Sequence, residues 1–362
     1  MGLCLARELH AAGARVVVYE RSQASPEQLP VHAAAAGMAA WAAAGMLGPS
    51  GFPAASGLQD FARAAAGFYP DFSASLERET GMHCDYRRIG TLASRHGMGA
   101  AHVAGSEDHA NSAWNEPQLV QPEDYVLIPG DHAVDNRKLL QALCQYSRKN
   151  KIAIQAGCEV VELQPSPDRT IQIRTLRERF HTRHAVIAAG AWSGRIAGIQ
   201  IPIVPRKGQI LCVQAPVDLI RHVILGAEVY LVPRSDGRII IGASLEDAGF
   251  DARIVPEIIA RMHAAAAVMV PAIGEFPVLD RWCGFRPYSE TRLPCLGPTH
   301  IPGIWAASGL FRDGILLAPL AAHELAGVLI GRRRNSDLLN SLHFNDGAAP
   351  ERRREYNAYR FQ

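Results

Sequence analysis

The sequence predicts an α/β plus α+β protein whose chain visits two domains alternately. Three observations point there. The chain opens with a helix followed by a β-branched strand, two later buried strands run into glycine turns, and strand-rich blocks separate these units. A length of 362 residues suits two domains or one large interleaved one.

The elements follow in order. Gly2-Leu3-Cys4-Leu5-Ala6-Arg7-Glu8-Leu9 has helical spacing, Gly13 stops it, and Arg15-Val16-Val17-Val18-Tyr19 is a strand ending at Glu20. Residues 33–48 are rich in Ala and Gly, a composition that lets backbone approach something flat or bulky. Residues 57–80 are an amphipathic helix with Leu58, Phe61, Ala65, Phe68, Phe72 and Leu76 on one side. Residues 84–94 read as strands and 97–117 as a polar surface excursion. Asp135 to Lys149 is a helix, and Ile152-Ala153-Ile154 with Glu159-Val160-Val161-Glu162-Leu163 is expected to form a strand pair. His184 to Gly190 is a buried parallel strand whose carboxyl end faces a ligand. The block 201–245 is strand-rich, with a Ser235-Asp236-Gly237 hairpin turn. Residues 256–270 are helical. Gly303 to Gly309 is a strand into a glycine turn, and Gly314 opens a long apolar helix to about Leu329. The charged stretch from Arg332 to Gln362 reads as a peripheral tail.

Composition narrows the function. With 37 Lys+Arg against 35 Asp+Glu the net charge is +2, which gives no global reason to expect nucleic acid or an anionic membrane. No apolar run is long enough for a transmembrane segment, and no signal peptide pattern opens the chain. Residue 6 is Ala, which argues against myristoylation of Gly2. The seven cysteines form no C-x-x-C pair and their number is odd, so free thiols in a reducing cytoplasm are expected, without disulfides or zinc. The 14 histidines show no metal spacing.

A dinucleotide fingerprint is strand, G-x-G-x-x-G, helix, strand and then an acidic residue. Gly2 can serve as the third glycine, with its helix, its second strand and Glu20 in place. Glu20 would accept hydrogen bonds from a ribose. Ala188-Ala189-Gly190-Ala191-Trp192-Ser193 and Ser308-Gly309-Leu310-Phe311-Arg312-Asp313-Gly314 each put a glycine turn after a buried strand. The helix opened by Gly314 would aim its positive end at a flavin.

Six further segments, in order, carry a family resemblance. They are Ala42-Ala43-Ala44-Gly45-Met46-Leu47-Gly48, Pro205-Arg206-Lys207-Gly208-Gln209, the run from Tyr230 to Arg238, Ile241-Gly242-Ala243-Ser244, Trp282-Cys283-Gly284-Phe285-Arg286-Pro287, and the run from Arg312 to Pro319. Over about residues 2–332 the chain resembles the D-amino-acid oxidase/glycine oxidase group of flavoproteins, particularly bacterial glycine oxidases of thiamine biosynthesis. The resemblance implies an FAD-binding Rossmann-like domain, its first strand missing, interleaved with a mixed-sheet substrate domain. The FAD-binding part would comprise 1–83, 134–200 and 286–335, and the substrate part 84–133 and 201–285, with 336–362 as tail. FAD would meet Gly2, Glu20, Arg21, Ala44, Gly45, Met46, Val160, Ala189, Gly190, Trp192, Gly309, Arg312, Asp313, Gly314 and Ile315. Arg286 would hold the substrate carboxylate, because a planar guanidinium pairs with it in a bidentate fork. Tyr230 would add a hydroxyl, and Arg312 would sit at the junction of flavin and substrate.

The implied reaction is oxidative deamination of glycine or a small amino acid to an imine, then to a keto or aldehyde acid, ammonia and hydrogen peroxide. It would feed thiamine thiazole synthesis. The flavin carries the chemistry, so no His–carboxylate dyad is required. Partners are a small zwitterionic substrate and oxygen, with homo-oligomerisation left open. The sequence departs from the family pattern at Leu310 (usually His), Asp313 (usually Asn), Ala40 (usually a hydroxyl residue) and 288–292, which lacks the usual Asp-Gly. These changes leave glycine, sarcosine and small D-amino acids as options. The first strand and two glycines of the fingerprint have no residues before Gly2. A start codon placed too late or a decaying gene would explain this, and lacking two or three backbone bonds of roughly 1.5–3 kcal/mol each would weaken FAD binding on the order of 10²–10⁶-fold. Two alternatives therefore stand beside the oxidase: a related D-amino-acid dehydrogenase with another electron acceptor, and a truncated non-catalytic remnant.

Overall fold

The computed structural model describes residues 1–23, 37–51, 57–97, 99–100, 114–289, 293–332, 336 and 339. Helix α1 (Gly2–Ala11) buries Cys4, Leu5, Ala6 and Leu9 and leads through Gly13, at φ +87°, into β1 (Val17–Glu20). The Ala/Gly-rich stretch folds as β2 (Gly37–Met38), the single turn α2 (Ala39–Ala42) and β3 (Met46–Leu47). Helix α3 (Gly57–Thr80) occupies the span its periodicity predicts and carries Pro70 within it. Strands β4 (Thr91–Ser94), β5 (Tyr125–Ile128) and β6 (His132–Ala133) follow. Most of the expected polar excursion at 97–117 lies outside the described residues. Helix α4 (Asn136–Lys149) fills the predicted span and starts where the Asp135 carboxylate accepts the N–H groups of Arg137 and Lys138 as its N-cap.

Next come β7 (Ala153–Ala156) and β8 (Val160–Pro165). The expected pairing of these two with each other is corrected by the register. Strand β7 runs parallel to β1, with Val17 opposite Ala153, and β8 pairs antiparallel with β9 (Ile171–Thr175), which pairs in turn with β10 (Arg179–Thr182). Val18 of β1 packs towards the helical layer, and a short apolar run does not reveal its strand partner. Strand β11 (Ala185–Ile187) is the predicted buried parallel strand.

The remaining chain is strand-rich. Long β12 (Ile203–Gln214), β13 (Val223–Leu225), β14 (Tyr230–Pro233) and β15 (Arg238–Gly242) precede helix α5 (Pro256–Met269) and long β16 (Val278–Ser289). β14 and β15 form the hairpin expected around Gly237, which stands at φ +85°. The chain closes with β17 (Cys295–Pro298), β18 (Ile304–Ser308) and α6 (Gly314–Leu329). Ser336 and Leu339 are buried, and Ser336 Oγ donates to Glu324 of α6; the rest of the tail beyond Arg332 lies outside the described residues.

The strands fall into separate sheets. One is eight-stranded in the order β2-β16-β12-β15-β14-β13-β4-β5, mixed and mostly antiparallel. Its apolar side packs on α5 through Leu211, Val213, Leu231, Ile241, Ile259 and Met262. Helices α1, α3, α4 and α6 share another core, centred on Leu5, Phe61, Leu76, Leu143, Leu320 and Leu325. Against them lie the parallel pair β1-β7 and the three-stranded β11-β18-β17. Among the described residues no strand joins these two pieces, and a cavity of about 1570 Å³ opens between them.

Candidate flavin and substrate site

Two helix starts and three strand ends meet at this cavity. Gly2 of α1 and Gly314 and Ile315 of α6 line it, as do Glu20 at the end of β1, Ala189 and Gly190 after β11, and Gly309 after β18. Helix N-termini present unpaired N–H groups and a positive potential, so the site suits an anionic ligand. Neither helix spends a side-chain cap on its first turn.

Glycine is required by geometry at Gly309. It sits at φ +83°, and a Cβ there would come within 2.9 Å of Ile203 Cδ1. At Gly2 a Cβ would lie 3.4 Å from the Ala188 side chain, so α1 begins directly against the end of β11. Glu20 Oε1 accepts the N–H of Ser22 at 2.8 Å. The Ser193 hydroxyl is fully buried without a hydrogen-bond partner among the described residues. Arg21 stacks on Trp192, with 3.8 Å from its guanidinium carbon to the ring centroid, and Trp192 stacks on Phe250. Val160 and Arg312 also line the cavity.

Eleven of the residues expected to touch FAD therefore border one cavity: Gly2, Glu20, Arg21, Val160, Ala189, Gly190, Trp192, Gly309, Arg312, Gly314 and Ile315. Ala44, Gly45, Met46, Asp313, Tyr230 and Arg286 do not line it. The cavity wall does include their neighbours Ala43, Phe285 and Pro287.

Arg286 projects from β16 across β12. Its Nη1 donates to the carbonyls of Lys207 at 3.3 Å and Ser244 at 3.1 Å. A Cβ on Gly208 would collide with both guanidinium nitrogens, so Arg286 lies flat over that glycine. Tyr230 lies over Gly242 in the same way, where a Cβ would stand 2.5 Å from the hydroxyl. Burial lowers the pKa of Arg286, Tyr230 pulls it back up, and Arg312 lowers it further. Burial raises the Tyr230 pKa against the pull of Arg286 and Arg312, so its hydroxyl stays protonated and can donate. The carboxyl of half-buried Asp313 is pushed up to about 7 by loss of solvent, with Arg312 acting in the opposite direction.

Several contributors were not singled out from the sequence. Lys207 is 2% exposed, and its Nζ donates to the Arg253 carbonyl at 2.6 Å and faces Glu246 at 3.4 Å. Glu246 also accepts from Ser244 Oγ and Gln209 Nε2. This network holds the loop that supplies Arg286 with its Ser244 carbonyl. Lys207, Gly208, Gly242 and Ser244 stand in the motifs quoted above, yet nothing in their spacing announces that they support Arg286 and Tyr230. Among the described residues no group of His, Cys, Asp and Glu is arranged to hold a metal ion, no helix is long and apolar enough to cross a membrane, and all seven cysteines are free.

The family described as FAD dependent oxidoreductase matches residues 1–328. The bifunctional protein ThiO/ThiG of Nostoc sp. is 30% identical over 363 residues; the match covers 95% of this chain and 53% of that protein, so the chain spans about half its length. A glycine oxidase of Pseudomonas aeruginosa is 28% identical, with 92% of this chain and 93% of the relative covered. The crystal structure of glycine oxidase from Geobacillus kaustophilus superimposes with a TM-score of 0.83 at 26% identity, covering 96% of each chain.

Proposed function

The chain belongs to the FAD dependent oxidoreductase family, and we propose that it oxidises glycine or another small amino acid at the Cα–N bond. The observation that carries this reading is Arg286 fixed over Gly208 beside Tyr230, next to a cavity bordered by two helix N-termini. The residues fit FAD. Among the described residues Glu20 has one carboxylate oxygen without a partner for a ribose hydroxyl, and the starts of α1 and α6 suit a pyrophosphate and an electron-rich ring system. When bound, FAD supplies the two-electron acceptor that takes hydride from the substrate Cα.

The chain's own residues bind and orient. The Arg286 fork takes the substrate carboxylate, and the two carbonyls on Nη1 keep it from rotating. Tyr230 donates a hydroxyl to the same carboxylate. Arg286 and Arg312 place two positive charges nearby, which disfavours a protonated amine and helps deliver it neutral. Fixing the carboxylate end of a small amino acid converts an encounter into an aligned approach. The imine product then hydrolyses to glyoxylate or a keto acid with ammonia, and the reading places this output in thiamine thiazole synthesis within the cytoplasm.

The test is to load the purified protein with FAD and add glycine, sarcosine and small D-amino acids. Peroxide release in air supports the oxidase. Flavin bleaching that persists in air supports an amino-acid dehydrogenase with another acceptor. A protein that takes up no FAD contradicts both and leaves the non-catalytic reading.

A further inference from the structure

The segment from Ala39 to Met46 is a single helical turn and a two-residue strand joined by a bend, and most of its carbonyls are taken by groups from elsewhere in the chain. Asn136 Nδ2 donates to Ala40 O at 2.8 Å and Trp41 O at 2.9 Å. Trp282 Nε1 donates to Ala42 O at 2.9 Å. Arg234 Nη2 donates to Ala44 O at 2.8 Å and to Asn136 Oδ1 at 3.1 Å, while its Nη1 donates to Val134 O at 2.9 Å. The Val134 N–H donates to Gly45 O at 2.9 Å. Gly45 sits at φ +72°, and a Cβ there would run into the Val134 carbonyl. One buried guanidinium thus ties Ala44, just before the Gly45 turn, to Val134 packed against it.

Arg234 is 4% exposed and Asn136 2%. A buried fork of this kind is costly unless compensated, and the compensating charge, Asp135, is itself the cap of α4. Arg234 follows β14, the strand that carries Tyr230, and Trp282 lies on β16 with Arg286. The loop itself forms part of the cavity wall through Ala39, Ala40 and Ala43. The same side chains therefore fix the large sheet, which bears the substrate groups, to the wall that the flavin would face.

We infer that Arg234 and Asn136 are positioning residues that set the flavin-facing loop 39–46 relative to Arg286 and Tyr230. The inference rests on the reading that this cavity takes FAD. Lys at 234 keeps the positive charge beside Asp135 but cannot span three acceptors with a planar fork.

The experiment uses Arg234→Lys and Asn136→Ala in the full chain, reconstituted with FAD. The expected result is a shifted visible spectrum of the bound flavin, roughly tenfold weaker FAD binding, and kcat lowered by about 10²-fold, as for a misplacement of about 1 Å. KM for the amino acid should stay nearly unchanged, because Arg286 keeps its own support. A wild-type spectrum, FAD affinity and kcat in a folded variant, with only thermal stability reduced, would overturn the inference. Where Arg234→Lys does not fold, Asn136→Ala decides on the same readouts, since it removes the bonds to Ala40 O and Trp41 O and one acceptor of Arg234, whose guanidinium keeps Ala44 O, Val134 O and the Asp135 charge. Wild-type protein that binds FAD but oxidises no amino acid would defeat the proposed reaction, while spectrum and affinity would still decide the roles of Arg234 and Asn136.

Discussion

Arg286 lies flat across Gly208, two residues beyond its cross-strand partner Arg206. The opposed Arg206 is drawn to Asp247 at 2.7 Å and stacks over Tyr288, so two like charges that face each other across the sheet are kept apart. Gly208→Ala should push the guanidinium out of its fork geometry. We expect KM for the amino acid to rise about tenfold or more, the loss of about 1.4 kcal/mol of binding, with a smaller change in kcat. Steady-state kinetics on the FAD-loaded variant check this; an unchanged KM would mean that Arg286 does not read the carboxylate.

Glu246→Gln removes the charge facing buried Lys207 and weakens the bond to Ser244 Oγ. Hydrogen bonds to charged groups contribute about 1.5–3 kcal/mol, and urea denaturation should register a loss in that range. KM should rise as well, because the Ser244 carbonyl supports Arg286. Loss of stability with KM unaltered would make the network structural only.

Glu20→Ala should weaken FAD binding by roughly 10–100-fold, from a charge-assisted hydrogen bond of about 1.5–3 kcal/mol. Titration of apoprotein with FAD, followed by flavin fluorescence, gives the affinity directly. An unchanged affinity would move the ribose away from β1.

Asp131 predicts a pH dependence of stability. It is 1% exposed, and burial pushes its carboxyl up to about 7, against the pull of Thr91 and of the Ser50 hydroxyl 3.1 Å away. A folded-state pKa above the unfolded value means that the folded protein holds the proton more tightly. The contribution is complete below about 4 and is lost as pH rises to about 7. Asp131→Asn should therefore gain melting temperature relative to the wild type on going from pH 5 to pH 8. A pH-independent difference would contradict the assignment.

Local patterns carried much of the fold into the sequence. The 57–80 helix, the helix ending at Lys149 and the Gly237 hairpin are each set by residues within a few positions of one another, so period and turn chemistry suffice. The pairing of β7 with β1 joins residues far apart in sequence, and no local pattern encodes it. The site divides in the same way. Glycine turns after buried strands mark the cavity rim, and Arg286 and Tyr230 stood out through family resemblance. The grip of Arg234 on Ala44, 190 positions away in sequence, exists only once the large sheet has folded against α4.

We propose that this cavity and Arg286 together make an amino-acid-oxidising flavin site. Anaerobic addition of glycine, sarcosine or a small D-amino acid to FAD-loaded protein tests it most directly, read at the visible flavin band. The account predicts saturable bleaching by at least one of these substrates, with the half-saturating concentration rising steeply in Arg286→Ala. A stably FAD-loaded protein whose flavin none of them reduces would contradict it.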